Sequence, residues 1–390
     1  MIHAIRQHAL WLARIGFDFV TLDWTGICWG ENTPVGKAWN HSFADRPLSV
    51  QRLLNNSLQL VQLYDTMRQE GTNTPAVVPI LGNNNGPIAT IACLDEALAW
   101  LGTIRERFPK SFLPARSEPS LSMVLIFDGP GDTTPVNYTT PGFQVAMMSA
   151  QLQSNPTLAR RGYWSWMDGP PGPNLGGPSV TVTSAFFGNC PAHGQGMWTG
   201  PDAVGRRGGY TLYRQMDAAM GSKPTVLLLS QWNEFAGQPN GGGYGADKEC
   251  YGDSYSRDLS NDIEPTSLSS TDCYMRPNST CLGWGMYYAN LFSALLRGGL
   301  ERNETLAFIT SPKWGANVSV NETPLLNISW AITGALLPRM LRFTLDNKLL
   351  ATHTPASHEG SVLVDLRAAS SELRRLGHGR LREITPQSSS

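Results

Sequence analysis

Long hydrophobic runs are missing from this 390-residue chain: none approaches the roughly 18 apolar residues that a membrane span needs, so no membrane insertion is expected. Charge is scarce. Only 16% of residues are Asp, Glu, Lys or Arg and the formal net charge is -1, which leaves no basic field for nucleic acid or an anionic membrane. A neutral substrate suits that balance. The seven histidines form no His-Glu-x-x-His and no Gly-x-Ser-x-Gly occurs, so zinc proteolysis and serine hydrolysis lack support.

Cysteine is sparse too. Cys28, Cys93, Cys190, Cys250, Cys273 and Cys281 are even in number, which fits an oxidising compartment, and no close Cys pair faces a His pair as in a zinc site. A disulfide is expected among Cys250, Cys273 and Cys281, because their Gly/Asp/Ser-rich stretch has little apolar content to hold it. The carboxylates between Asp247 and Glu264 lack EF-hand spacing and read as a solvated acidic loop, so neither metal nor cofactor is expected. No signal peptide opens the chain. His3–Ile15 is an amphipathic helix that runs at once into a strand, so the chain is expected to begin inside a fold.

What is present is apolar content for a large core, 41% of residues, and eight Asn-x-Ser/Thr acceptor triplets, at Asn40, Asn55, Asn137, Asn278, Asn303, Asn317, Asn321 and Asn327. Together with the cysteines they predict a glycosylated protein, secreted or lumenal in the secretory pathway. Apolar runs alternate with amphipathic helices as far as about residue 300. The predicted strands are Phe17–Asp23, Ala76–Leu81, Met123–Asp128, Tyr163–Asp168, Val180–Phe187 and Val226–Gln231. The predicted helices are Val50–Glu70, Leu94–Phe108, Gly142–Gln153, Tyr210–Met220 and Met286–Arg297.

This is the pattern of an α/β chain with a parallel sheet, and several strands end in a polar residue followed by Gly, Pro or Trp, as at the functional face of a (β/α)₈ barrel. The predicted architecture is therefore a TIM barrel over residues 1–303, with its first strand expected before Met1 and one more strand irregular or hidden. A doubly wound sheet would carry a Gly-rich phosphate turn after its first strand, where this chain has Asp23-Trp24-Thr25-Gly26. Beyond residue 304 short alternating strands at Leu326–Ile332, Met340–Leu345 and Val362–Leu366 predict a small Ig-like β-sandwich domain, 304–385, and 386–390 a disordered tail.

Glycosidic cleavage needs two carboxyl groups flanking the bond. Glu234, in Ser230-Gln231-Trp232-Asn233-Glu234-Phe235, closes an aromatic strand end where a Glu has few structural duties, and it is the first candidate catalytic residue. Asp128 and Glu264 are candidates for the second carboxylate. Asp23, Trp24, Asn83, Asp168, Trp166, Trp232 and Asn233 are candidates for binding sugar, the aromatics because sugar C–H faces pack on rings. Each has an ordinary alternative: a capping or loop-tying Asp, a turn Asn, a core Trp.

Trp232-Asn233-Glu234-Phe235, with Ile263-Glu264-Pro265 downstream, Tyr287-Tyr288 beyond it and the strand Gly16–Trp24, resembles the endo-α-mannosidase-type glycoside hydrolases (family 99) and their WbsX-like relatives. The resemblance covers about residues 1–300 and implies a (β/α)₈ fold with the catalytic Glu at Glu234. The family's second carboxylate falls three residues later, where this chain has Gly237, and the stretch Pro239–Ser260 is long for the family. Two readings follow: a glycoside hydrolase that takes its acid from Glu264, Asp258 or Asp128, or a barrel that binds glycans without cleaving them.

Overall fold

The computed structural model describes residues 2–25, 48–82, 91–128, 138–149, 152, 156–166, 168, 173–185, 188–190, 195–197, 204–233, 260–265, 284–299, 306–311, 325–333, 337–345, 348–366 and 381–387. The chain divides into two compact units, Met1–Met167 with Asn174–Val180 and Pro224–Val226, and Asp168–Pro173 with Thr181–Lys223 and Leu227–Ser390.

The first unit opens with α1 (Ile2–Ile15), which buries Ala9, Leu12 and Ile15 at helical spacing. It ends at Gly16, whose φ of 114° and bond to the Leu12 carbonyl make a C-cap that an L side chain would strain. Five strands follow, β1 (Phe19–Trp24), β2 (Ala76–Gly82), β3 (Ser122–Phe127), β4 (Phe143–Ser149) and β5 (Trp164–Ser165), with α2 (Leu48–Gln69) and α3 (Ile91–Arg107) on either side of β2 in sequence and the short α4 (Pro156–Arg160) before β5. All four pairings are parallel and the spatial order is β1-β2-β3-β4-β5. That unbroken order makes a curled parallel half-barrel sheet and has no switch point of the doubly wound kind. The core lies between sheet and helices, with Trp24, Val77, Leu81, Val124 and Ile126 packed against Tyr64, Met67, Leu98 and Leu101.

One element differs in kind from the sequence expectation. Gly142–Gln153 reads as a helix because Gln, Ala and two Met are good helix formers, yet Phe143–Ser149 is strand β4, hydrogen-bonded to strands on both sides. The register Ser122↔Phe143 to Phe127↔Met148 puts Phe143, Val145 and Met147 into the core, and that burial outweighs propensity. Two others are shorter than expected, β5 and β6 (Ser179–Val182).

In the second unit β7 (Gly188–Cys190) and β8 (Gln195–Met197) pair antiparallel. Then come α5 (Tyr210–Ser222), β9 (Val226–Leu229), which pairs with β6, and α6 (Tyr287–Ala294), continued by a π turn over Leu295–Gly299. The remaining strands are β10 (Ala307–Ser311), β11 (Leu325–Ile332), β12 (Met340–Leu345), β13 (Lys348–His353), β14 (Glu359–Asp365) and β15 (Leu381–Gln387). They form two three-stranded antiparallel sheets, β10-β11-β14 and β13-β12-β15. Ile328, Trp330, Ile332, Leu341, Phe343 and Val364 from both sheets share one core cluster. Pro386 and Gln387, the first residues of the expected tail, pair with Leu341 and Met340 at the end of β15. No helix among the described residues is long and apolar enough to cross a membrane.

Candidate active site

Parallel, in-register strands bring their C-terminal ends to one edge of a sheet, and in the first unit Asp23, Asp128 and Trp166 stand along that edge. They differ in what they do there. Asp23 is exposed, and its Oδ1 accepts bonds from the Thr25 N–H (2.9 Å) and the Thr25 hydroxyl (2.7 Å), closing the turn after β1. Trp24 points the other way. It is fully buried, donates its indole N–H to Ser57 Oγ at 2.9 Å and packs on Trp100, so it is a core residue and offers no face to a sugar.

Asp128 is 1% exposed and accepts a bond from the Tyr163 hydroxyl at 3.1 Å, while its backbone N–H continues the β3–β4 ladder to Met148. Trp166 is half-buried and meets the Phe127 ring edge-on, with centroids 5.0 Å apart. At the same edge Gly82 has φ 137°, and a Cβ there would lie 2.3 Å from the Phe127 carbonyl oxygen, so the ends of β2 and β3 approach as closely as only glycine permits.

The second unit assembles a different part of the candidate set. Gln215 of α5 receives the Thr183 N–H on Oε1 (3.2 Å) and donates Nε2 to the Thr183 carbonyl (2.8 Å), fixing the chain just past β6. Ser184 next to it donates to the Asn261 carbonyl at 2.9 Å, and Asn261 Nδ2 donates to the Ser230 carbonyl at 3.3 Å. Residues 260–264 are thereby laid against the end of β9. The Ile263 N–H then bonds the Gln231 carbonyl at 3.3 Å, and the Glu264 N–H bonds the Trp232 carbonyl at 2.9 Å. Two segments some thirty residues apart in sequence form one short ladder, in which Trp232 and Glu264 are half-buried and Asn233 is exposed. The Ser230–Gln231 peptide in it is cis.

A buried cation holds this ladder. Arg206 is 0% exposed, donates Nε to the Ser260 carbonyl and Nη2 to the Asp262 carbonyl, both at 2.5 Å, and lies against the rings of Trp284 and Tyr288, 3.9 and 4.2 Å from their centroids, in the corner that the two rings make by meeting edge to face. Trp284 in turn donates its indole N–H to the Glu264 carbonyl at 2.9 Å. Buried Asp262 accepts the Ser260 hydroxyl at 2.7 Å. Sequence reading missed Arg206. The signal available was an Arg-Arg-Gly-Gly run in a chain with little charge, at residues 206–209.

Asp168 is 1% exposed. Glu234, Asn83, Asp258 and Gly237 lie outside the described residues.

No family model matches the chain, and no curated protein matches it in sequence. Solved structures similar to it include glycoside hydrolases. The GH99 endo-α-mannosidase of Bacteroides thetaiotaomicron is 11% identical, with 78% of this chain and 81% of that one covered and a TM-score of 0.45. The β-glucuronidase of Bacteroides uniformis is 10% identical, with coverages of 94% and 40% and a TM-score of 0.36. An endo-β-1,4-mannanase double mutant of Cellulomonas fimi is 14% identical, with coverages of 81% and 70% and a TM-score of 0.23. This chain spans less than half the length of that glucuronidase.

Proposed function

We propose that the chain is a glycoside hydrolase acting on a neutral oligo- or polysaccharide, built on a (β/α)₈ barrel over residues 1–303 with a β-sandwich domain after it, and that it works in or beyond the secretory pathway. The observation that supports this reading is the ladder between Gln231-Trp232 and Ile263-Glu264, which sets the backbone of half-buried Glu264 beside the strand end that leads into Asn233.

Glu234 is the base or nucleophile in this reading and Glu264 the acid. Asp128 is the weaker choice for the acid, because it is 1% exposed and takes the Tyr163 hydroxyl. Trp232 supplies a ring for a sugar face and Asn233 an amide for its hydroxyls. Among the eight acceptor asparagines, Asn55 and Asn327 lie in the described residues with side chains assigned, and both are exposed, as a glycoprotein requires.

Screening neutral oligosaccharides for product release, with Glu234→Gln beside the wild type, tests the proposal. Gln keeps size and hydrogen bonding but neither takes a proton nor forms a glycosyl ester, so turnover is expected to fall by about 10²–10⁴-fold while affinity persists. A loss below about tenfold makes Glu234 a bystander. Gly237, at the place of the resembling family's second carboxylate, favours the second reading of a glycan-binding barrel without cleavage. Binding without product on every glycan tried selects that reading.

A further inference from the structure

Strand β11 alternates cleanly, with Leu326, Ile328 and Trp330 buried and with Leu325 and Asn327 exposed and Ser329 half-exposed on the other face. On its partner β14 the exposed residues are Glu359, Ser361, Leu363 and Asp365. A solvated sheet face is normally polar; beyond Ala331, which packs with Phe308 and Tyr210, this one is polar over the exposed positions except for two leucines, Leu325 at 49% and Leu363 at 61% exposure. Both adjoin Asn327. Leu363 is its direct cross-strand partner, which sets the Cβ atoms about 4.5–5.5 Å apart, and Leu325 lies two residues back along the strand on the same face.

Asn327 is also the acceptor of Asn327-Ile328-Ser329. The period of two puts the acceptor amide and the Ser329 hydroxyl on one face and sends Ile328 into the core. The triplet at Asn55 contrasts with it, since its Ser57 hydroxyl accepts the bond from buried Trp24 in the core of the first unit.

We propose that Asn327 carries an N-linked glycan whose innermost sugars cover the Leu325–Leu363 strip. In the modification Asn327 Nδ2 bonds to the anomeric carbon of a lipid-linked oligosaccharyl diphosphate. The sugar–phosphate bond breaks, the diphosphate leaves with its electron pair, and the amide loses one proton. The attached sugar turns its C–H face to the leucines and its hydroxyls to water, so a strip that would recruit another chain becomes a hydrated surface. The proposal rests on the secretory reading above and not on glycoside hydrolysis.

The test is production in a eukaryotic secretory host, peptide mapping of every acceptor site by mass, and binding of a dye that fluoresces on exposed apolar surface. Asn327 is expected to be occupied. Ser329→Ala, which keeps Asn327 but removes the acceptor triplet, is expected to abolish that occupancy and raise dye fluorescence about twofold or more, and adding Leu325→Ser with Leu363→Ser is expected to return it to the wild-type level. Bare Asn327 beside occupied sites elsewhere overturns this proposal alone. No occupancy at any site overturns the secretory reading with it, and occupancy whose loss leaves dye binding unchanged overturns the shielding role.

Discussion

Arg206→Ala is the substitution whose cost can be worked from the structure. It deletes two hydrogen bonds from a charged donor to the buried carbonyls of Ser260 and Asp262, each worth about 1.5–3 kcal/mol, and leaves those acceptors without that donor. It also removes a desolvated cation from the faces of two rings, worth about 2 kcal/mol. Against these stands the relief of no longer burying a guanidinium, which amounts to several kcal/mol. The net expected loss is about 3–5 kcal/mol. Arg206→Lys keeps the charge but not the planar fork that reaches both carbonyls and packs against the rings, so it is expected to recover less than half of the loss. Urea unfolding followed by tryptophan fluorescence measures both variants without reference to any activity. A loss under about 1 kcal/mol for Arg206→Ala, with an unchanged m-value, would refute the clamp.

Three further outcomes are expected. Gly360→Ala places a Cβ 2.5 Å from the buried Trp330 ring and is expected to cost about 1–3 kcal/mol in the same unfolding assay. Tyr163→Phe withdraws a hydroxyl donor from buried Asp128 and is expected to cost about 1–3 kcal/mol, with Asp128→Asn on top of it costing little more, a coupling that a double-mutant cycle reads directly. Burial raises the Tyr64 phenol above its ordinary value of 10.0, so its contribution to stability is complete below pH 10 and is lost as pH climbs from there towards the folded value. Absorbance titration of the folded protein is expected to leave Tyr64 un-ionised after exposed tyrosines have titrated, and a Tyr64→Phe variant that keeps the same alkaline unfolding profile would contradict this.

Elements whose local preference and burial agree were legible in sequence. β1, β2, β3 and β9 are β-rich apolar runs, α1, α2, α3 and α5 are periodic or rich in helix formers, and β11, β12 and β14 alternate. β4 was not, because Gln144, Ala146, Met147 and Met148 are good helix formers and the segment is a strand through its neighbours on both sides. Within the site, the kinship of Trp232-Asn233 with Ile263-Glu264 was legible as two short motifs, and the backbone ladder places them together. The different fates of Asp23, Trp24 and Asp128 were not, since adjacent strand-end residues face opposite ways and sequence does not say which face a turn will cap or a helix will cover. Arg206 escaped notice for a similar reason. Its partners are main-chain carbonyls, and carbonyls leave no trace in a sequence.

The ladder also bears on how this chain can diverge. Asn233 and Ser260 are the ends of a stretch that is pinned at both sides, by the Trp232 carbonyl and by the Arg206 fork, with 26 residues between them. The backbone of Glu264 is held by the Trp232 carbonyl and the Trp284 indole, and neither bond depends on the length of chain between Asn233 and Ser260. Of the two carboxylates in the proposed pair, Glu264 thus owes its place to main-chain and indole contacts, which substitutions in the stretch between Asn233 and Ser260 do not touch.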